Sequence, residues 1–123
     1  MDSVYTELNL QYKDYNLVCY DTGENTGDRT ILLLNGGPGL PCNYLRDPHL
    51  GLVKKGYRIF TYDQLGCGKS SKPSDLSLWN IERYVEEVEF VRKQFDLGEI
   101  ILLGHSWGGW LGIEYAIKYQ NNI

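Results

Sequence analysis

The sequence contains few residues of the kinds that bind metals or cross-link secreted proteins. Of its 123 residues, two are histidine and three are cysteine (Cys19, Cys42 and Cys67). The cysteines are far apart and form no C-x-x-C pair, so they indicate neither a disulfide framework nor a zinc site. We therefore expect free thiols and no metal, and a reducing cytoplasm is the simplest location.

Long apolar runs and an excess of basic residues are also missing. No apolar stretch approaches the roughly 18 residues of a membrane span, and the first residues lack the basic and apolar regions of a secretory signal. The net charge of −4 and the pI near 5.1 argue against general nucleic-acid binding, which requires a basic face. A hydrophobic content of 42% instead predicts a globular chain, which we treat as a single domain over 1–123.

Apolar runs alternate with amphipathic segments along the chain. Residues 4–20 predict two short strands with a turn at 14–16, and the polar residues 21–29 predict a loop. Further strands are predicted over 30–34, 57–62 and 100–103, and helices over 43–55, 81–95 and 106–119. The acidic part of the second helix, 82–89, is predicted to be a solvated surface, with Glu87 outside the apolar face.

This order of elements predicts the fold class. After an antiparallel hairpin, strand and helix alternate, which is typical of a mostly parallel sheet with helices on its faces. Ligands of such sheets bind at the carboxyl ends of the strands. Three strands here end in glycine-rich loops, and these loops are therefore expected at one edge.

The third of these loops has the strongest signal. Residues 104–108 read Gly-His-Ser-Trp-Gly between a predicted strand and a predicted helix, which is the G-x-S-x-G pattern in the context of a nucleophile elbow. The turn requires Gly104 and Gly108 because a Cβ there would collide with backbone, and it presents the hydroxyl of Ser106 at a helix N-terminus. A chance match is the alternative, since the short pattern recurs in unrelated proteins.

The other two loops have competing interpretations. The Gly-Gly-Pro-Gly stretch at 36–39 suits either a plain turn or an oxyanion loop, whose uncrowded backbone N–H groups stabilise a tetrahedral intermediate. The serine elbow favours the second. The segment 66–70, Gly-Cys-Gly-Lys-Ser, resembles the end of a phosphate-binding loop, but the full pattern needs glycine where the chain has Asp63. We therefore reject nucleotide binding.

A serine nucleophile needs a base, and the chain has only two histidines. His105 is adjacent to the serine in sequence, where side chains project in different directions, and His49 lies in a loosely defined segment. We expect neither to be the general base, since the partners of a triad meet the serine across space.

Together these motifs resemble the proline iminopeptidase branch of the α/β-hydrolases, which are serine aminopeptidases acting on short peptides. The resemblance rests on Gly-Gly-Pro-Gly at 36–39, Asp-Gln-x-Gly-x-Gly-x-Ser at 63–70 and Gly-His-Ser-Trp-Gly-Gly at 104–109. It implies an acyl-enzyme on Ser106, an oxyanion hole formed by the N–H groups of Gly37 and Trp107, and no cofactor. It also implies supporting loops that contain Gly36, Pro38, Gly39, Asp63, Gln64, Gly104 and Gly108. The family's first loop usually begins with histidine, whose side chain supports it, whereas this chain has Asn35.

The resemblance covers the N-terminal portion of the family's catalytic domain. A complete member is roughly twice this length or more and continues with further strands, a cap, and the acid and base in the order Ser, Asp, His. We therefore expect the first part of an α/β-hydrolase that is inactive or nearly so by itself, with the strand 100–103 as an aggregation-prone edge. The alternatives are a non-catalytic remnant, one half of a split enzyme whose second polypeptide supplies cap, Asp and His, and an esterase of the same fold.

Overall fold

A computed structural model describes residues 5–23, 29–37 and 39–123. Three predictions fall partly or wholly elsewhere. Val4 as the start of the first strand, residues 24–28 of the predicted loop, and Pro38 in the glycine-rich loop lie outside the described residues.

Within the described residues, five strands form one mixed sheet in the order β1-β2-β4-β3-β5. The strands are β1 (Thr6–Tyr12), β2 (Tyr15–Asp21), β3 (Arg29–Leu34), β4 (Tyr57–Tyr62) and β5 (Ile100–Gly104). β1 and β2 form the predicted antiparallel hairpin, and β2 joins β4 antiparallel. β3 lies between β4 and β5 and is parallel to both. Their carboxyl ends therefore meet at one edge, as predicted, and this edge carries the three glycine-rich loops.

The described part of the chain contains three α-helices beside the sheet: α1 (Asn43–His49), α2 (Ile81–Gln94) and α3 (Trp107–Lys118). Short 3₁₀ turns cover Leu50–Lys55, Leu76–Leu78 and Gln120–Asn122. The predicted helix 43–55 is thus divided into an α-helical and a 3₁₀ part, and it ends at Gly56, whose φ of 92° is left-handed. No helix among the described residues is long and apolar enough to cross a bilayer.

The core has a layer on each face of the sheet. Leu32, Leu34 and Phe60 face α2 and α3, whereas Ile31 and Leu33 belong to a smaller cluster beneath α1. Successive residues of a strand point to opposite faces, so the continuous apolar run of β3 fills both layers. That explains why a run without alternation predicts a strand buried on both sides.

The acidic side of α2 is not a solvated surface, so the prediction for 82–89 is wrong in part. The side chain of Glu87 is fully buried, and Oε1 accepts a 2.8 Å hydrogen bond from Arg83, one helical turn earlier. Both carboxylate oxygens lie 3.4 Å from the amide nitrogen of Leu65. Burial raises the pKa of Glu87, although the Arg83 charge opposes that shift. The helix is tied by this pair to the loop after β4.

A second carboxylate, Glu89, joins α2 to α3. It accepts hydrogen bonds from the hydroxyl of Tyr115 at 2.6 Å and from Nε of Arg92 at 2.7 Å. Burial opposes ionisation of Glu89, but the hydrogen bonds from Arg92 and Tyr115 outweigh it, so the pKa lies below the usual value. These contacts orient α3, whose first turn carries Ser106 at its N-terminus.

Candidate active site

The elbow between β5 and α3 has the geometry that its sequence predicts. Ser106 precedes the first helical residue, Trp107, and has φ 56° and ψ −117°. A non-glycine residue in such a conformation costs on the order of 1–3 kcal/mol. The side chain is exposed, makes no capping hydrogen bond, and stands where the N-terminal end of the helix dipole favours negative charge. The strain therefore holds a hydroxyl at the surface, clear of the backbone.

The two glycines of the pattern are required by close backbone approach. A Cβ on Gly104 would lie 2.3 Å from the carbonyl oxygen of Gly108. A Cβ on Gly108 would lie 2.0 Å from the carbonyl oxygen of Leu34, at the end of β3. The amide of His105 also donates to that oxygen, at 3.1 Å. The elbow is thus packed directly against the loop that follows β3.

The loop after β3 brings the backbone amide of Gly37 to the same edge of the sheet as the backbone amide of Trp107. Gly37 has φ 124°, a value that glycine alone adopts readily, and a Cβ on Gly36 would lie 3.1 Å from the carbonyl oxygen of His105. Among the described residues, the N–H groups of Gly37 and Trp107 donate to no acceptor. Two unpaired amides from adjacent loops, beside an exposed hydroxyl, are the parts from which an oxyanion hole is built.

Side-chain amides connect the two loops. Nε1 of Trp107 donates to Oε1 of Gln64 at 3.0 Å, and Nε2 of Gln64 donates to Oδ1 of Asn35 at 2.9 Å. Nδ2 of Asn35 then donates to the carbonyl oxygens of Gly36 and Leu40, at 2.9 and 2.7 Å. Asn35 therefore supports the loop at the position where the family resemblance predicts histidine. Gln64 is buried and serves as the bridge.

Asp63 organises the middle loop and is buried. Its carboxylate accepts hydrogen bonds from the backbone amides of Cys42 at 2.8 Å and Lys69 at 3.0 Å. A Cβ on Gly68, whose φ is 50°, would lie 2.4 Å from that carboxyl group. The Lys69 side chain pairs with Glu7 at 3.0 Å. Asp63 thus joins the segment before α1 to the middle loop, and these contacts leave the Lys69 amide and ammonium engaged within the protein.

The two histidines are held by other groups. Nδ1 of His105 lies 2.8 Å from the hydroxyl of Tyr44, which also accepts a 2.5 Å hydrogen bond from the amide of Gly36. Nδ1 of His49 lies 2.7 Å from the carbonyl oxygen of Leu45. In the described part of the chain, no side chain forms a hydrogen bond with Ser106, so no base for it is in place there.

Sequence reasoning did not identify Tyr44 or the supporting role of Asn35. Tyr44 lies in α1 and reaches Gly36 across a gap of eight residues. Nothing in the local sequence marks that contact, because it depends on how α1 packs beside the loop. The sequence shows Asn35 where the family resemblance predicts histidine, but it does not show which acceptors the Asn35 side chain reaches.

Comparisons with known proteins agree with this geometry. The family model of the alpha/beta hydrolase fold matches residues 29–123. A proline iminopeptidase of Chitinophaga pinensis is 50% identical over 95 residues, which is 76% of this chain and 32% of the relative. One from Clostridium botulinum is 41% identical over 116 residues, or 94% of this chain and 39% of the relative. The match thus spans 32–39% of the length of these two curated relatives.

Solved structures match nearly the whole chain. The proline iminopeptidase of Mycobacterium smegmatis has a TM-score of 0.86 at 25% identity, with 95% of this chain and 41% of that one covered. An epoxide hydrolase of Vigna radiata also has a TM-score of 0.86, at 22% identity over 98% of this chain and 36% of its own, which shows the fold alone. The sheet order, the elbow and the matched family model lead to one conclusion: this chain belongs to the alpha/beta hydrolase fold family and corresponds to its N-terminal portion.

Proposed function

We propose that this chain is the part of a serine aminopeptidase of the proline iminopeptidase type that carries the nucleophile and the oxyanion hole. The observation that supports it most is the exposed hydroxyl of the strained Ser106 beside the two unpaired amides of Gly37 and Trp107. The similarity to proline iminopeptidases over 76–94% of the chain supports the proposed substrate class, which is a short peptide from which an N-terminal residue, preferentially proline, is released.

The proposed chemistry is acyl transfer. Oγ of Ser106 attacks the carbonyl carbon of the first residue, and the resulting oxyanion accepts hydrogen bonds from the amides of Gly37 and Trp107. Collapse of the tetrahedral intermediate breaks the peptide bond, and the rest of the peptide leaves as an amine after gaining a proton. Water then hydrolyses the ester to Ser106. The steps require no metal or cofactor.

The proton transfers need a base that the described residues do not place at Ser106. We propose that base, acid and cap belong to the remaining length that the relatives have, either in the same polypeptide or in a second one. The free side of β5 supports this, because among the described strands β5 pairs with β3 alone, and Ile101 of β5 and Ile113 and Ile117 of α3 are exposed. An unpaired, apolar edge is where further strands add. We therefore propose that the 123 residues alone are inactive or nearly so.

We also propose a cytoplasmic location, because the cysteines of the described residues are free thiols, as is usual in a reducing compartment.

A chimera tests this function. The chain is joined to the part of the Chitinophaga pinensis proline iminopeptidase that follows the matched region, and hydrolysis of a proline arylamide and of a proline ester is measured. We expect the chimera to cleave the arylamide, the 123-residue chain to be at background, and the chimera with Ser106→Ala to lose activity by at least about 10³-fold.

Other outcomes select the alternatives. A folded chimera that cleaves the ester but not the arylamide would indicate an esterase of the same fold. A folded chimera that cleaves neither would indicate a non-catalytic remnant. Arylamide cleavage that survives Ser106→Ala would contradict the assigned nucleophile.

A further inference from the structure

An apolar cavity of about 470 Å³ lies beside the candidate oxyanion hole. Its walls are largely aromatic and come from the end of α3 that carries the elbow, from the start of α2, and from the loops after β3 and β4. They include Trp79, Tyr84, Trp107, Trp110, Gly39 and Lys72. Small-molecule sites typically measure about 300–1,000 Å³, so the cavity has the size of a ligand site and is much larger than one proline ring needs.

The walls are preformed. The ring of Trp107 packs edge-on against Tyr84 and Trp110, at 5.3 and 5.1 Å between centroids, and its Nε1 is held by Gln64. A Cβ on Gly66 would lie 2.8 Å from the Trp79 ring. Glycine at this position therefore allows the indole of Trp79 to pack against the backbone and form one wall of the cavity. Trp79 and Trp110 nevertheless remain 38% and 51% exposed. Large aromatic surfaces left open around a fixed cavity favour contact with an apolar group.

One cation lies in this wall without a counter-ion. The exposed Lys72 donates from Nζ to the carbonyl oxygens of Gly68 and Ser70, and no carboxylate in the described ranges pairs with it. The contrast is Lys69, three residues earlier, whose ammonium is paired with Glu7. A positive charge beside an aromatic cavity is complementary to a ligand that combines an apolar body with a carboxylate.

We propose that this cavity binds the leaving residue of a short peptide, with its apolar side chain among the tryptophans and its free C-terminal carboxylate at Lys72. This inference rests on the proposed function, since it concerns the residue that follows the bond cleaved at Ser106. Gly39 belongs to the oxyanion loop, and Trp107 supplies one oxyanion amide while its ring lines the cavity. A peptide whose first carbonyl occupies the oxyanion hole therefore lies next to this cavity, whose volume of about 470 Å³ can accept its second residue. The preferred substrate is a dipeptide with a large apolar second residue.

The chain supplies its own reporter, because Trp79, Trp107 and Trp110 are all of its tryptophans and all line the cavity. Tryptophan fluorescence of the 123-residue chain carrying Ser106→Ala is titrated with Pro-Phe, Pro-Phe-amide and Pro-Gly. We expect a saturable change with Pro-Phe, binding about two- to fivefold weaker for the amide, as an exposed ion pair warrants, and binding at least about tenfold weaker for Pro-Gly, which lacks the apolar side chain.

Lys72→Gln separates the carboxylate contact from the apolar one. It should weaken Pro-Phe about two- to fivefold and leave Pro-Phe-amide unchanged, whereas Lys54→Gln, a substitution of another exposed lysine, should alter neither. Absence of a saturable change, equal binding of acid and amide, or equal binding of Pro-Phe and Pro-Gly would overturn the proposal. Binding as expected with an inactive chimera would refute only the peptidase function, and an active chimera without this binding would refute only the cavity's role.

Discussion

The contact between the elbow and β3 can be tested with two alanine substitutions in the same helix. Gly108 and Gly112 both lie in α3, and both substitutions raise helix propensity by about 0.5–1 kcal/mol. A Cβ on Gly112 would meet only Cδ1 of Leu34 at 3.7 Å, an ordinary contact. A Cβ on Gly108 would lie 2.0 Å from the carbonyl oxygen of Leu34 and 2.6 Å from that of Asn35. Backbone oxygens cannot rotate away, so the helix or the loop after β3 must move.

The expected effects therefore have opposite signs. Gly112→Ala should stabilise the fold by about 0.5–1 kcal/mol. Gly108→Ala should destabilise the fold by about 3 kcal/mol after the gain in helix propensity is subtracted. This value is at the upper end of the roughly 1–3 kcal/mol typical of overpacking. With urea m-values of about 1–3 kcal/mol/M, a loss of about 3 kcal/mol lowers the unfolding midpoint by about 1–3 M.

Urea unfolding followed by circular dichroism measures both variants against the parent chain. The matched pair removes propensity as an explanation, since the residue types and the helix are the same. A midpoint for Gly108→Ala equal to or above that of the parent would refute the packing of the elbow against the end of β3. A Gly112→Ala midpoint that falls as far as that of Gly108→Ala would refute the assignment of the effect to the 2.0 Å contact.

Three further predictions concern strain and buried charge. Ser106→Gly should raise the free energy of unfolding by about 1 kcal/mol, since glycine relieves the positive φ, whereas Ser106→Ala should not; equal urea midpoints would contradict this. Tyr115→Phe should cost about 1.5–3 kcal/mol at pH 7, as expected for a hydrogen bond to a charged acceptor. The pKa of Glu89 is lowered in the fold, so this stabilisation is present above the pKa that Glu89 has in the unfolded state. It should disappear as the pH falls through the pKa of Glu89 in the folded state. A destabilisation by Tyr115→Phe that stays the same from pH 7 to pH 3 would contradict this. Glu87→Gln should destabilise by about 3–5 kcal/mol because it leaves the buried charge of Arg83 without its partner; a loss below about 1 kcal/mol in urea unfolding would count against the buried pair.

The elements closest to the site were predictable because their local patterns are strong. The apolar runs of β3 and β5 and the glycine spacing around Ser106 each reflect a constraint within a few residues. The order of strands was not predictable in the same way. The antiparallel insertion of β2 beside β4 depends on contacts between residues about 40 positions apart, such as Cys19 and Tyr62.

Buried polar side chains were the main source of error. Glu87 was assigned to the solvated side of α2 because a carboxylate is usually exposed, yet it is fully buried beside Arg83. The spacing of four residues between Arg83 and Glu87 indicates an ion pair on one helix face, but it does not indicate that the pair is buried.

The aromatic cavity was also not predicted. Trp79 and Trp110 are 31 positions apart, and only the packing of α2 against α3 brings them together.

The most direct measurement is the labelling of the 123-residue chain by a fluorophosphonate, with the modified serine identified by mass spectrometry. Removal of a triad still leaves roughly 10³–10⁴-fold acceleration from the oxyanion hole and binding, so the account predicts slow labelling confined to Ser106. The adduct should be absent from Ser106→Ala and unchanged in Ser77→Ala, which alters another exposed serine. An adduct distributed equally over Ser106 and Ser77, or none on Ser106 after prolonged incubation, would contradict the claim that this elbow and its two amides form a working nucleophile site.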